Sequence, residues 1–291
     1  LQPAEVCRPD HDKLAVFQIA YPFYWHALHQ VNDCYDRPDE IPLEGACNYL
    51  KSLLTNCLAN AAALEFSIFK TGYETGLGAL LRKATNPEDN KTLYRSFIKE
   101  IYTTRWDSFF SEYAVLTRQL CEVTQNWVAS MCLFMERYRA DLPVLEQLFS
   151  NGKPLGNITK ISFGLSDRHN GGKTTAILTF ASGGKLVYKP KPLDTERVLE
   201  AIVDWVNLEK ELIGLKIVPV LDKGNYGWQQ FIENKGCRTE NEVRQFYVRA
   251  GYLMAIVYVM EGYDFHYENL IADGAFPYLI DTETIFNPYK E

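Results

Sequence analysis

Apolar residues recur every three or four positions through the first half of the chain and every second position through much of the rest. Leu50, Leu53, Leu54, Cys57, Leu58, Ala61 and Leu64 share one helical face. From Tyr113, apolar positions 113, 116, 120, 123, 127, 131 and 134 mark a longer amphipathic helix. Pro143 interrupts that pattern, and the turn cluster Asn151-Gly152-Lys153-Pro154 closes a mostly helical region over residues 1–155. Residues 156–291 change texture. Ile158–Phe163, Thr174–Phe180 and Lys185–Lys189 are β-prone, with a polar, glycine-bearing loop over Gly164–Gly172 and a turn at Ala181-Ser182-Gly183-Gly184. Asp194 reads as the N-cap of a helix with Val198, Leu199, Ile202, Trp205 and Val206 on one face and Gly214 as its stop. Ile217–Val220 and Gly227–Ile232 predict two more strands. A second helix runs from about Glu240 to Met260, with Val243, Phe246, Tyr247, Ala250, Met254 and Val257 on its apolar side. The sum is an α+β chain: a helical region, then a small antiparallel sheet with helices.

Composition narrows the classes. With 291 residues and 47% apolar content the chain can bury a sizeable core. A formal net charge of −7 without any Lys/Arg cluster argues against a nucleic-acid partner. The seven cysteines are scattered, form no C-x-x-C pair and read as reduced, mostly buried thiols. No uninterrupted apolar run reaches the ~18 residues of a membrane span, so no transmembrane segment is expected. The start has no basic or hydrophobic signal region, which together with the cysteine usage leads us to expect a cytoplasmic protein. The chain lacks an initiator Met and stops soon after a candidate metal ligand; we expect a fragment of a longer protein.

The chemistry gathers near the C-terminus. Asp264-Phe265-His266-Tyr267-Glu268-Asn269 reads D-x-H-x-x-N, and Asp281 follows the strand-like Phe276–Ile280. An Asp, an Asn and a second Asp in this order lay out a kinase-like phosphoryl-transfer site. The first orients a hydroxyl and accepts its proton, and the other two hold Mg²⁺ against nucleotide phosphates. The bland alternative for Asp264 is a loop-capping carboxylate. Glu283 shares a face with Asp281 in extended chain and is either a further ligand, an acceptor behind the metal, or a surface carboxylate. His266 fits a positioning role. Lys189, in the apolar strand Leu186-Val187-Tyr188-Lys189, is costly there unless it meets an anion, which makes it the phosphate-binding candidate. Lys191, beyond Pro190, is close by with an undetermined direction. Glu196 and Glu200 both qualify as acidic partner on the next helix. In Ser166-Asp167-Arg168-His169-Asn170-Gly171-Gly172, the glycines permit close backbone approach to phosphate and His169 adds charge, whereas Asp167 needs a cation or a substrate amide beside it. The order of elements matches a two-lobed kinase-like architecture, which carries more weight than any single motif.

These segments, with Phe109-Phe110-Ser111-Glu112-Tyr113, Leu186-Val187-Tyr188-Lys189-Pro190-Lys191, Tyr226-Gly227-Trp228, Phe246–Gly251 and Leu279–Glu283, resemble the dehydratase region of the class II lanthipeptide synthetases, the LanM enzymes. The likeness runs from about residue 105 to the C-terminus. It implies a lipid-kinase-like lobe with added helices, truncated before the full larger lobe. It also implies use of ATP and Mg²⁺ to phosphorylate Ser and Thr of a ribosomally made precursor peptide, the first step toward dehydroalanine or dehydrobutyrine. Carried over by position, the phosphorylation residues are Asp167, His169, Lys189, Asp264, His266, Asn269, Asp281 and Glu283. The family's elimination residues and its cyclase domain lie further C-terminal. A free-standing kinase-like phosphotransferase and an inactive ATP- or leader-peptide-binding module are the alternatives.

Overall fold

The structure, a computed structural model, describes residues 16–34, 41–74, 90–166 and 171–285. They form two compact units. The first runs to Asp141 and adds Lys160–Gly164 and 171–173; the second takes Leu142–Thr159, 165–166 and 174–285.

The first unit is helical: α1 Phe17–Asp33, α2 Glu44–Glu74, α3 Asn90–Thr104, α4 Trp106–Glu112 and the start of α5 Ala114–Phe149. Helix α1 buries Phe17, Ala20, Tyr24, Ala27, Leu28 and Val31 at helical spacing, and α3 adds Phe97, Ile98 and Ile101. In α2 the buried stripe is Ala46, Leu50, Leu54, Leu58 and Ala62, a run of i,i+4 steps, while Leu64 is exposed. The expected face was therefore one step too wide: the i,i+4 row is fully buried, Leu53, Cys57 and Ala61 are half-buried and Leu64 is exposed. Glu65 is buried on this stripe and satisfied twice, by Arg105 at 2.9 Å and by the Tyr113 hydroxyl at 3.0 Å. The stretch Glu44–Gly72 has the length and composition to cross a bilayer, as some core helices do, and no other described helix has. On α5 the predicted stripe is realised at Leu116, Leu120, Trp127, Met131 and Phe134. Pro143 does not end this helix, which runs on to Phe149. Proline gives up one donor, but Leu145, fully buried, keeps the next turn anchored. The cysteines are less buried than expected: among those described only Cys47 is buried, and Cys34 and Cys121 are exposed. Burial and a hydrogen bond with the Cys34 thiol push the Cys132 thiol up to about 12.

A five-stranded sheet, in the second unit except for β1 from Lys160 onward, runs in the order β1-β2-β3-β5-β4, with β1 Ile158–Ser162, β2 Ala176–Phe180, β3 Lys185–Lys189, β4 Val220–Asp222 and β5 Gly227–Gln230. The pairings among β2, β3, β5 and β4 are antiparallel. Register places Ala176, Tyr188, Trp228 and Leu221 in one row across the sheet, on an apolar face where Trp228 is fully buried. The opposite face carries Val187, Gln229 and Lys189. Gly227, opposite Lys189, admits no side chain, since a Cβ there would lie 2.3 Å from Leu193 Cδ1 and 2.7 Å from the Leu221 carbonyl oxygen.

Helix α6 spans Asp194–Val206. Leu193, not Asp194, is its N-cap, and Asp194 and Glu196 fill the first turn, where carboxylates oppose the helix dipole. It stops at Val206, two turns before Gly214, because the Asn207 amide clamps Leu215 from both sides, donating at 3.1 Å and accepting at 2.8 Å. The segment this ties down displaces the expected Ile217–Val220 strand to Val220–Asp222.

Helix α7, Glu240–Val259, is capped by Thr239, whose hydroxyl accepts from the Glu242 amide at 3.2 Å. The predicted apolar side is only partly buried. Leu253 enters a core with Leu199, Val203, Leu215, Met260, Leu279 and Ile285, while Tyr247 and Met254 are exposed. The hairpin β6 Leu270–Asp273 and β7 Phe276–Leu279 follows, turning at Gly274.

Arg249, 6% exposed, decides which face of α7 turns inward. Its Nε donates to the Gly214 carbonyl and its Nη1 to the Ala275 carbonyl, each at 2.8 Å, and its guanidinium lies 3.9 Å from the Phe276 ring centre. One side chain thus joins α7, the segment before β4 and the β6–β7 turn. Arg249→Leu is expected to lower unfolding stability by about 3 kcal/mol and Arg249→Lys by about 2, since an ammonium cannot span both carbonyls. Denaturant titration of the full chain measures this; a loss below about 0.5 kcal/mol for Arg249→Leu would deny the side chain this role.

Candidate functional site

Within the second unit, two short segments face one another. The first is the end of β3. Pro190 closes that strand because it has no amide to donate. Pro190 is buried in the bend that follows, and Lys191 lies in that bend beside Lys189. The second segment follows β7 and carries Asp281 and Glu283. Lys191 Nζ lies 3.0 Å from Asp281 Oδ1 and 2.6 Å from Glu283 Oε2. Lys189 Nζ donates to Glu196 Oε1 at 3.2 Å and to the Ile280 carbonyl.

Lys189 and Glu196 are 5% and 4% exposed, so each charge is expensive without the other. The second oxygen of Glu196 accepts from the Thr195 hydroxyl at 3.0 Å, and that hydroxyl sits 3.3 Å from the one on buried Thr282. Of the two acidic candidates on α6, Glu196 is the partner. Glu200 is exposed and lines a separate cavity of ≈ 570 Å³ with Lys185, Asp204, Lys216 and Lys235, to which no expected site residue contributes.

Two ammonium groups therefore meet three carboxylates here. Burial alone would raise the pKa of Asp281, but the charges of Lys189 and Lys191, the Lys191 hydrogen bond and the Glu283 amide outweigh it and hold the carboxyl below its ordinary value. Lys191 shows the mirror image. Burial lowers its pKa, yet the hydrogen bond to Glu283 and the charge and hydrogen bond of Asp281 raise it above the ordinary lysine value.

The loop after α7 supplies the remaining groups. Asp264 has φ 62°, a left-handed conformation that a non-glycine residue keeps only where its surroundings impose it. Its carbonyl accepts from Asn269 Nδ2 at 3.0 Å, the Asn269 amide donates to the His266 carbonyl at 3.0 Å, and the Thr284 hydroxyl donates to the Tyr263 carbonyl. The Asp264 side chain is 68% exposed, with Oδ1 3.9 Å from His266 Nε2. The Glu268 amide donates to His266 Nδ1 at 3.3 Å, which leaves the ring proton on Nε2, the nitrogen nearer Asp264. The Ile280 amide donates to the Asn269 carbonyl at 3.0 Å and so ties this loop to the segment bearing Asp281. Lys189, Asp264, His266, Asn269, Asp281 and Glu283 thus belong to one contiguous network.

The donor chemistry fits a hard divalent cation. The Asp281 and Glu283 carboxylates converge on one point, where the Lys191 ammonium already supplies a positive charge, and Asn269 keeps Oδ1 while Nδ2 is committed to the loop. No group of three or more His, Cys, Asp or Glu side chains among the described residues could form a cage on its own. An ion here would need oxygens from outside the chain, as Mg²⁺ commonly takes them. Asp167 and His169 lie outside the described residues. Gly171 and Gly172 belong to the first unit, with φ 82° and 83°, so both need glycine, and a Cβ on Gly172 would lie 3.4 Å from Asn126 Cβ. Sequence reasoning missed the Lys191 bridge, the Thr195–Thr282 contact and Arg249. Only the two i,i+2 charge pairs, Lys189/Lys191 and Asp281/Glu283, gave a signal for any of them.

Comparison with known proteins agrees with the region concerned. Residues 113–291 match the family described as Domain of unknown function (DUF4135), a span that includes the whole sheet and every site residue named above. The chain is 33% identical over 129 residues to the Lacticin 481/lactococcin biosynthesis protein LcnDR2 of Lactococcus lactis subsp. lactis. The match takes in 42% of this chain and 14% of that much longer protein.

The charge network sets the acid limit of the fold. A carboxyl whose pKa is depressed by folding contributes stability that is present above its unfolded pKa, ~3.9, and lost as pH falls through the folded value. Wild-type stability is expected to fall steeply below about pH 4, and Asp281→Asn to flatten that limb while being less stable at pH 7. Circular dichroism across an acid titration reads this; identical acid limbs would show that the Asp281 contacts contribute nothing. Lys191 acts at the other extreme: its contribution is full at neutral pH and lost only as pH rises past its folded value, above the ordinary ~10.4.

Proposed function

The chain belongs to the DUF4135 family and is related to the class II lanthipeptide synthetases, and from that membership we propose that it carries the ATP- and Mg²⁺-dependent phosphorylation of Ser and Thr in a ribosomal precursor peptide. The observation that supports this most is the buried Lys189–Glu196 pair, whose ammonium also touches the backbone at Ile280, beside Asp281. That arrangement holds a lysine at the edge of a carboxylate cluster, where it can meet a nucleotide phosphate.

In this reading Asp264 aligns the substrate hydroxyl and accepts its proton as the oxygen bonds to the γ-phosphorus and ADP departs. An exposed carboxylate on a constrained backbone suits that role, being open to a peptide yet fixed in direction. His266 takes a positioning role beside Asp264, its Nε2 3.9 Å from Oδ1. Lys189 holds the transferring phosphate end of the nucleotide. Asn269, Asp281 and Glu283 would hold Mg²⁺, which when bound supplies neutralising charge to the phosphates. Asp167, His169, Gly171 and Gly172 take the nucleotide loop. Release of phosphate from the modified side chain then leaves dehydroalanine or dehydrobutyrine, and the peptide partner and a cytoplasmic setting follow from the same reading.

The test is mass spectrometry of a precursor peptide treated with ATP, Mg²⁺ and the intact gene product. A phosphopeptide adduct, followed by loss of one water per modified residue, is expected; ADP formation without peptide modification would favour a free-standing phosphotransferase, and neither would favour a binding module. Asp264→Asn is expected to lower phosphopeptide formation by about 10²–10⁴-fold with the fold intact. Retained phosphorylation would remove it from the base role. Lys189→Met is expected to raise the ATP requirement sharply, with thermal melting run alongside because Glu196 loses its partner; unchanged ATP dependence would shift the role to Lys191.

A further inference from the structure

We propose that Lys191 is the resident counter-cation of the Asp281–Glu283 carboxylates, and that its ammonium and a divalent metal ion compete for the same place between them. This rests on the reading of those two carboxylates as metal ligands and adds to it a residue whose role the sequence leaves open.

The geometry carries the inference. Two carboxylates reach one point, at 3.0 and 2.6 Å from Lys191 Nζ, and the Glu283 amide, 3.4 Å from Asp281 Oδ1, closes the backbone between them into a tight turn. Two like charges that share one partner favour a cation between them. Lys189 adds its charge nearby, but its hydrogen bonds go to Glu196 and the Ile280 carbonyl, and only Lys191 touches both carboxylates of the pair. The Lys191 side chain is 16% exposed, whereas Asp281 and Glu283 are 33% and 48% exposed. An ion from solvent can therefore approach from the carboxylate side while the lysine occupies the inner side. Pro190 fixes the base of the lysine, but its four-carbon stem lets the ammonium withdraw without moving the strand. The residue type matters as well. A lysine is a displaceable point charge, whereas an arginine would grip both carboxylates with a planar fork and yield less readily.

The experiment measures binding of Mn²⁺ alone, without nucleotide, to the full chain by electron paramagnetic resonance of free Mn²⁺. Lys191→Met, with Lys191→Gln as a second neutral replacement should the first fold poorly, is compared with Lys191→Arg and wild type. Affinity is expected to rise about tenfold or more in the neutral variants, as removal of a competing charge worth one pKa unit would give, and to fall below wild type in Lys191→Arg. Asp281→Asn in the neutral background should abolish the gain. Without metal the neutral variants should melt lower than wild type, and Mn²⁺ should raise their Tm more than it raises that of wild type. Mn²⁺ binding that depends on Asp281 but is equal or weaker in the neutral variants overturns the competition and leaves the metal-ligand reading standing. Binding that is insensitive to Asp281→Asn in every background overturns both.

Discussion

A single buried ion pair governs the second unit. Lys189 sits at the end of the central strand β3, where an ammonium has almost no water to solvate it. The charge is tolerable only because Glu196 comes from α6 to meet it and Ile280 offers a carbonyl from the segment after β7. These two contacts bring strand, helix and hairpin together at one point. Pro190 ends the strand, Lys191 lies in the bend beside Lys189, and Asp281 and Glu283 gather on that second charge. The site is thus a consequence of solvating one lysine.

The loop after α7 follows a different physical rule. No burial forces Asp264 into place; its carboxylate is largely in solvent. What fixes it is backbone hydrogen bonding. Asn269 satisfies the carbonyls of Asp264 and His266, Thr284 that of Tyr263, and residue 264 accepts a left-handed conformation as the cost. An exposed group on a constrained backbone stays open to solvent and keeps its direction. The tie from Ile280 to Asn269 makes this loop and the lysine–carboxylate cluster one mechanical unit.

The charge balance around Asp281 gives the arrangement its character. Desolvation and attraction oppose one another there, and attraction prevails for Asp281 and Lys191 alike. Folding thus favours the charged form of both partners of the Lys191–Asp281 bridge.

Periodicity and side-chain type determined which segments are helices and strands: β3 was legible to the residue, α5 by its stripe from Leu116 to Phe134, and the catalytic-looking letters 264–269 and 281–283 by their types and order. These are local properties, because an amphipathic repeat or an Asp–Asn–Asp order is complete within its own segment. Tertiary structure alone decided what depends on a partner distant in the chain. It chose Glu196 over Glu200 by placing only the former against Lys189, and it ended α6 at Val206 because Asn207 found Leu215. It turned α7 to bury Arg249 and leave Met254 in solvent, and it carried the helix through Pro143. In each case two arrangements were nearly equal locally, and a contact made by residues far away in sequence separated them.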